Sequence, residues 1–309
     1  MRDQKKQIRM LIADSGSTKT DWALLYRRQD GQMVDSRFQT QGINPVLMSE
    51  EEVVAVMRNE VLPELERVSG WPSADVCVRF YGAGVRPDME SKMQRTVSCV
   101  FQDGVPAGGR SVSGSFSSDL LGAARALCGH REGIACILGT GANSCLYDGR
   151  HIVANTPALG FILGDEGGGA ALGKRFLNAI FKGALPAAMR DDYLEQTGLT
   201  LSDIIRKVYR EPMANRFLAS TSLYIAGHLD QPELRQLVVD NFRDFFRRNI
   251  VPYGRKDLPV GFVGSMASHY ETLLREAADM EGFAMGDIVK SPISRLCEYH
   301  LADLETQEG

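Results

Sequence analysis

Long apolar runs, paired cysteines and an excess of basic charge are all missing from this 309-residue sequence, and each gap closes a line of interpretation. No stretch approaches the roughly 20 apolar residues that a membrane-spanning helix needs, and the polar opening MRDQKKQ leads into a short strand rather than a signal segment. A cytoplasmic location with no membrane partner is therefore expected. The six cysteines, Cys77, Cys99, Cys128, Cys136, Cys145 and Cys297, form no C-x-x-C pair. They read as buried free thiols rather than as a metal site or a disulfide framework. A formal net charge of −4 argues against nucleic acid or an anionic membrane as the main partner, since both favour a basic face. Any anionic ligand must then be met by local donors.

What is present is an ordinary globular composition, 44% hydrophobic and 24% charged, in a chain long enough for two cores. Residues 10–26, MLIADSGSTKTDWALLY, set an apolar run, a polar turn and a second apolar run in succession, the pattern of a β-hairpin. The turn has its own chemistry. Gly16 permits a tight bend whose N–H groups can face an anion, while Ser17, Thr18 and Lys19 add two hydroxyl donors and one cation. Asp14, at the end of the first strand, has the chemistry to hold a hydrated Mg²⁺ beside bound phosphates. A plain polar hairpin turn is the competing interpretation.

A third strand is expected over 32–40, followed by the rigid break Gly42-Ile43-Asn44-Pro45, and then by a helix that Ser49 caps and Glu50, Glu51 and Glu52 support. A strand over 76–81, a helix over 88–101 and the glycine-rich stretch 104–110 come next. That stretch is the best internal punctuation and leads to a short strand expected near 111–115, beside which the domain boundary is expected. Asp119 opens a helical pattern and reads either as a dipole-stabilising cap or as an active carboxylate. Residues 134–148, IACILGTGANSCLYD, repeat the strand, turn and strand of the first hairpin, so an internally duplicated architecture is expected.

Further along, 160–169, GFILGDEGGG, places Asp165 and Glu166 between glycines, where they can accept hydrogen bonds from hydroxyls or help position Mg²⁺. The overlapping GGAALGKR nearly matches a Walker A loop, but Arg175 stands where the Mg²⁺-ligating hydroxyl belongs. Lys174 therefore reads as a surface lysine on a helix. Helical periodicity dominates 187–249. A short strand over 259–263 feeds Gly264-Ser265 and a helix, a place for a nucleotide to rest; His269, in that helix, also reads as a hydrogen-bonded surface histidine. An amphipathic helix with Pro292 at its start ends the chain.

The motifs DSGSTKTD, GINP, SDLLGAA, LGTGANS, GDEGGG and VGSMAS, in this order, resemble the BadF/BadG/BcrA/BcrD-type ATPase family. That family includes the N-acetylglucosamine kinases and belongs to the actin, sugar kinase and heat-shock ATPase superfamily. The resemblance implies an α/β fold of two ribonuclease-H-like domains, with mixed sheets flanked by helices, a nucleotide cleft between them and hinge closure on substrate. The expected division is 1–112, with the helix at 291–305 packing back on it, and 113–290, with a helical insertion at about 187–250. By the same resemblance Gly16, Ser17, Thr18 and Lys19 form the first phosphate turn with Asp14 as metal ligand, and Thr140 and Gly141 form the second. Gly264, Ser265, His269 and Gly227 belong to the nucleotide, and Asn44, Asp119, Ala142, Asn143, Gly160 and Asp165 to an amino sugar. The first turn is Ser-Gly-Ser where the family has three glycines.

On this basis the expected activity is an ATP- and Mg²⁺-dependent kinase acting on a hydroxyl of an amino sugar such as N-acetylglucosamine. Asp119 would be its general base, and Asn44, Asp165 and Glu166 would match sugar hydroxyls. A redox-linked ATPase is an alternative within the family, but it needs cysteines that bridge an iron–sulfur cluster between subunits, and no cysteine here sits in a glycine-rich exposed setting. A sugar-binding regulator without chemistry is the other alternative, and the presence of Asp119 argues against it. Homodimerisation is left open.

Overall fold

Ile8–Ser15 (β1) and Lys19–Arg27 (β2) form the expected antiparallel hairpin, and Met33–Gln41 (β3) pairs along the outer edge of β2. The computed structural model describes residues 8–16, 18–28, 31–68, 75–103 and 111–308. Ser17, Asp30 and the 104–110 punctuation lie outside the described residues.

After β3 come α1 (Glu50–Val56), a π-helical turn (Met57–Val61), α2 (Leu62–Glu66), β4 (Asp75–Gly82), α3 (Pro87–Gln102), β5 (Val112–Ser118) and α4 (Asp119–Cys128). Ser49 caps α1 through a reciprocal pair with Glu52, the capping box that the sequence signals. β4 and β5 run parallel to β1, giving the order β3-β2-β1-β4-β5. β1 lies inside this sheet and is buried on both faces: Leu11 and Ala13 face a core shared with Val53, Val97 and Phe101 of the helices, and Met10 and Ile12 face a second cluster. Alternation therefore reads as one continuous apolar run. The second cluster is closed by Ala126 of α4 and by Ile293, Leu296 and Cys297 of the final helix, α13 (Ile293–Glu308).

The other unit begins with β6 (Gly133–Leu138), β7 (Ala142–Tyr147) and β8 (Ile152–Ala154), then α5 (Gly160–Leu163), α6 (Gly169–Lys182), α7 (Ala187–Thr197), α8 (Leu201–Tyr209), α9 (Ala214–Ala226) and α10 (Pro232–Phe245). A π-helical turn, Phe246–Ile250, extends α10. β9 (Val260–Val263), α11 (Ser265–His269), α12 (Glu271–Glu281) and β10 (Met285–Val289) complete it. Its sheet order is β10-β9-β6-β7-β8, with β6, β7 and β8 antiparallel and β9 and β10 parallel to β6. Read from the hairpin, the two sheets have one connectivity, the duplication that the two glycine turns imply. Phe242, Phe245 and Phe246 pack in its core with Phe262 and Phe283.

The chain divides into a unit of residues 1–126 with 292–309 and a unit of residues 127–291. The division falls after Ala126, beyond the expected 112: the short strand expected near 111–115 is β5, which pairs with β4 from Val112 to Ser118. Asp119 thus belongs to the first unit. Three further expectations change. The helix expected to follow Gly264 is broken at Tyr270, Cys99 is exposed rather than buried, and β8 and β10 have no counterpart in the sequence pattern. No described helix is long and apolar enough to cross a membrane.

Candidate active site

Two carboxylates of the first unit meet because strand ends and helix starts converge at one edge of a parallel sheet. Asp14 is the next-to-last residue of β1, and Asp119 is the first residue of α4, directly after β5. Burial pushes the Asp14 carboxyl up to about 7; the negative charges of Asp119 and then Asp21 add to the shift, and Lys19 opposes it. The Asp119 carboxyl is also raised by burial, while the N–H of Leu120, donating to Oδ1 at 2.9 Å, works against the rise. The charge of Asp119 thus adds to burial in favouring the protonated form of Asp14. A divalent cation would relieve the repulsion, and one carboxylate with waters and phosphate oxygens is an ordinary Mg²⁺ environment. The donor set of Asp14 therefore fits that ion. No group of three or more His, Cys, Asp or Glu among the described residues forms a metal cage.

The first turn is tightly fixed. Gly16 N–H donates to the Lys19 carbonyl at 3.0 Å and Gly42 N–H to the Thr18 carbonyl at 3.1 Å. The buried Ser15 hydroxyl lies 2.6 Å from that of Thr20 and joins both the carbonyl and the N–H of Ile43. The β1–β2 turn and the Gly42–Pro45 break are thereby one piece. Lys19, expected to face phosphate, pairs with Asp21 at 3.0 Å from both oxygens, and Gln39 donates to the same carboxylate. Asp21 is a residue that motif reading passed over, although strand register places it directly opposite Asp14. Asn44 Oδ1 accepts from Val46 N–H at 3.0 Å, so its amide nitrogen is the donor left over among the described residues.

The β6–β7 turn is welded to a helix. The carbonyls of Gly139 and Thr140 accept from Gly169 and Ala170 at the start of α6 at 2.8 and 2.9 Å. A side chain at Gly168 would lie 2.7 Å from the Gly141 carbonyl carbon, and one at Gly141 would lie 2.7 Å from Asp165 Oδ2. Glycine at both positions lets loop, turn and helix touch backbone to backbone. α6 is under way where the Walker-like string runs, as expected, but Lys174 is not a free surface lysine: its ammonium donates to the Phe161 carbonyl. A groove of about 530 Å³ beside it, lined by Lys174, Arg175, Glu233 and Asp240, holds none of the expected site residues.

The adjacent acids face different partners. Asp165 accepts from Ala142 N–H at 3.3 Å, whereas Glu166 faces Asn249 Nδ2 at 3.4 Å and Arg248 at 3.7 Å. Leu159 and Asp165 both have positive φ, 62° and 56°, with Gly160 between them at 73°. Such strain in non-glycine residues is concentrated where a loop is held for a ligand. Asn143 Oδ1 accepts from Ser144 N–H and from Asn155, both at 2.9 Å, which turns its amide nitrogen outward. The π-helical turn supports this loop: the Asn249 carbonyl accepts from Ser144 Oγ and Thr156 Oγ1. No motif marks Asn155, Thr156 or Asn249, since their role is to bond backbone.

Ser265 and His269 line a cavity of about 270 Å³ with Ser222, Leu223, Met266, Ser268, Tyr270 and Lys290. Gly264, with φ of 124°, lies where a side chain would meet the Leu138 carbonyl at 2.3 Å. β9 therefore turns into α11 hard against β6. His269 is exposed and sets its ring edge against Tyr270. Gly227 ends α9 and is not among the lining residues.

A duplicated five-stranded sheet, with an acidic pair on one copy and a glycine turn backed by a helix on the other, is the framework of a sugar kinase. The chain is 45% identical to a crystal structure from Porphyromonas gingivalis provisionally named N-acetylglucosamine kinase, with a TM-score of 0.83 over 94% of this chain and 98% of that one. A provisionally named N-acetylglucosamine kinase from Chromobacterium violaceum, 18% identical, shares the fold with a TM-score of 0.61 over 95% and 99%. No family model and no curated protein matches. The chain belongs to the N-acetylglucosamine kinase-like family of sugar kinases.

Proposed function

We propose that this sugar kinase transfers the γ-phosphoryl group of ATP, with Mg²⁺, to a hydroxyl of an N-acylated amino sugar, N-acetylglucosamine first. The observation that carries the reading is the coupled pair Asp14 and Asp119, one at a strand end suited to a cation and one at a helix start suited to a proton. Asp119 accepts the proton of the acceptor hydroxyl, and a carboxyl raised by burial is a stronger base than an ordinary one. Asp14 holds Mg²⁺, which when bound offsets phosphate charge. The backbone around Gly16 and around Thr140 and Gly141, with the Thr18 hydroxyl, aligns the phosphates, and alignment supplies much of the rate. Ser265 and His269 take the adenosine end.

For the sugar, the amide nitrogens of Asn44 and Asn143, which have no partner among the described residues, are donors and Asp165 an acceptor, a set that leaves an unmade bond for a wrong hydroxyl pattern. Glu166 acts on this pocket through Asn249 and the loop. A coupled ADP-release assay over N-acetylglucosamine, N-acetylmannosamine, glucosamine and glucose tests the reading. Turnover is expected on at least one N-acetylated hexosamine, with Asp119→Asn lower in kcat by roughly 10²- to 10⁴-fold. Equal rates for the variant and the wild type would remove Asp119 from the chemistry.

A further inference from the structure

The assignment of Asp119 as base leaves open what holds α4 in place, and the first unit carries a specific answer. Tyr81, in β4, is the register partner of Asp14 in β1 and of Ser117 in β5, and its buried ring belongs to the cluster closed by α4 and α13. α4 rests directly on it: a side chain at Gly122 would lie 2.9 Å from Tyr81 Cβ and Cγ. One turn further along α4, Arg125 donates to the Tyr81 hydroxyl at 2.6 Å, and His300 Nε2 of α13 lies 2.8 Å from the same oxygen. Arg125 can only donate, so the phenol accepts from it and has one proton to give to His300. Burial, with Arg79 and Arg125 nearby, drives the His300 imidazole down to about 3, so it is neutral and able to accept. Asp119, Gly122 and Arg125 are spaced by three and share one face of the helix.

We propose that Tyr81, locked through its hydroxyl by Arg125 and His300, is the positioning residue that fixes the register of α4 and so aims Asp119 at the acceptor hydroxyl. This rests on the general-base assignment of Asp119. A phenol in contact with no substrate then governs catalysis, because small misplacement of a base is costly: a shift of about 1 Å costs on the order of 100-fold.

The test uses the full chain and the sugar identified in the ADP-release assay. Tyr81→Phe keeps the ring under Gly122 and removes only the hydroxyl. It is expected to lower kcat roughly 10- to 100-fold while the KM for ATP and the melting temperature stay near wild type. Arg125→Met, which keeps Tyr81 and His300 paired, should produce the same split if Tyr81→Phe proves unstable, and Arg125→Lys should recover part of the loss. In an Asp119→Asn background Tyr81→Phe should add nothing, since residues acting as a unit are not additive. Wild-type turnover in a folded Tyr81→Phe, or a full additional loss in the Asp119→Asn background, overturns the positioning role. Loss in Asp119→Asn with normal turnover in Tyr81→Phe overturns it alone and leaves the base standing; normal turnover in Asp119→Asn overturns both.

Discussion

At the matching bend of the two sheets, the β1–β2 turn is bordered by three carboxylates and a lysine, whereas the β6–β7 turn is bordered by glycines, the start of a helix and the single carboxylate of Asp165. Ser15 and Thr20 tie the first bend to a neighbouring loop through side chains. Gly139 and Thr140 tie the second to α6 through backbone alone. One connectivity thus supports two kinds of precision. The first copy places charge, and its sensitivity lies in titration and in which oxygen meets which proton. The second places backbone, and its sensitivity lies in space: no Cβ fits between turn, loop and helix.

Exchanging the chemistry of one residue in the first copy should have the largest effect. Asp119→Asn is nearly isosteric, and the ADP-release assay should show the 10²- to 10⁴-fold fall in kcat expected for a lost base, with a melting temperature no lower than wild type because a buried charge is removed. Next comes a single methyl group in the second copy. Gly168→Ala would bring a carbon within 2.7 Å of the Gly141 backbone, an overpacking cost of about 1–3 kcal/mol, seen as a melting temperature several degrees lower. The matching methyl in the first copy, Gly16→Ala, meets only the Lys19 carbonyl at 3.7 Å, and its melting temperature should stay within about a degree of wild type. Equal losses in these two variants would erase the contrast between the turns.

The pH dependence of the first copy is a smaller effect with a definite sign. Because burial lifts the folded Asp14 carboxyl from the usual aspartate range to about 7, the folded state binds more protons between the two, and stability falls as pH rises across that window. Thermal melts without Mg²⁺ should therefore decline by a few degrees between pH 5 and 7.5. In Asp14→Asn the decline should be shallower and the variant more stable than wild type at pH 7.5; an unchanged slope would take Asp14 out of the buried pair. The smallest effect belongs to the loop of the second copy. Lys174→Met removes the bond to the Phe161 carbonyl, and a loss of about 0.5–1 kcal/mol, read as a two- to fivefold higher KM for the sugar with kcat retained, is expected.

The sequence made the strands of both hairpins legible because apolar runs stop at glycine, and it made the duplication legible because the runs recur around matching turns. It did not show that Asp14 and Asp119, 105 positions apart, act on each other, since only the parallel pairing of β1, β4 and β5 brings those strand ends to one edge. β10 was hidden by Gly286 and Asp287, and β8 by having three residues. The π-helical turn after α10 was hidden because Phe245 and Phe246 prolong the apolar face without a break. Residues that bond backbone, such as Asn249 and Thr156, have no chemical signature in a string of letters.

The return of α13 to the sheet where the chain began has a consequence for biosynthesis. Met10 and Ile12 leave the ribosome more than 280 residues before Ile293, Leu296 and Cys297, which close over them. The first unit cannot complete its second apolar cluster until residues 293–297 have been made, whereas residues 127–291 form one uninterrupted segment that can fold before it. A nascent chain stalled before Pro292 would expose the uncovered face of β1, a substrate for chaperones.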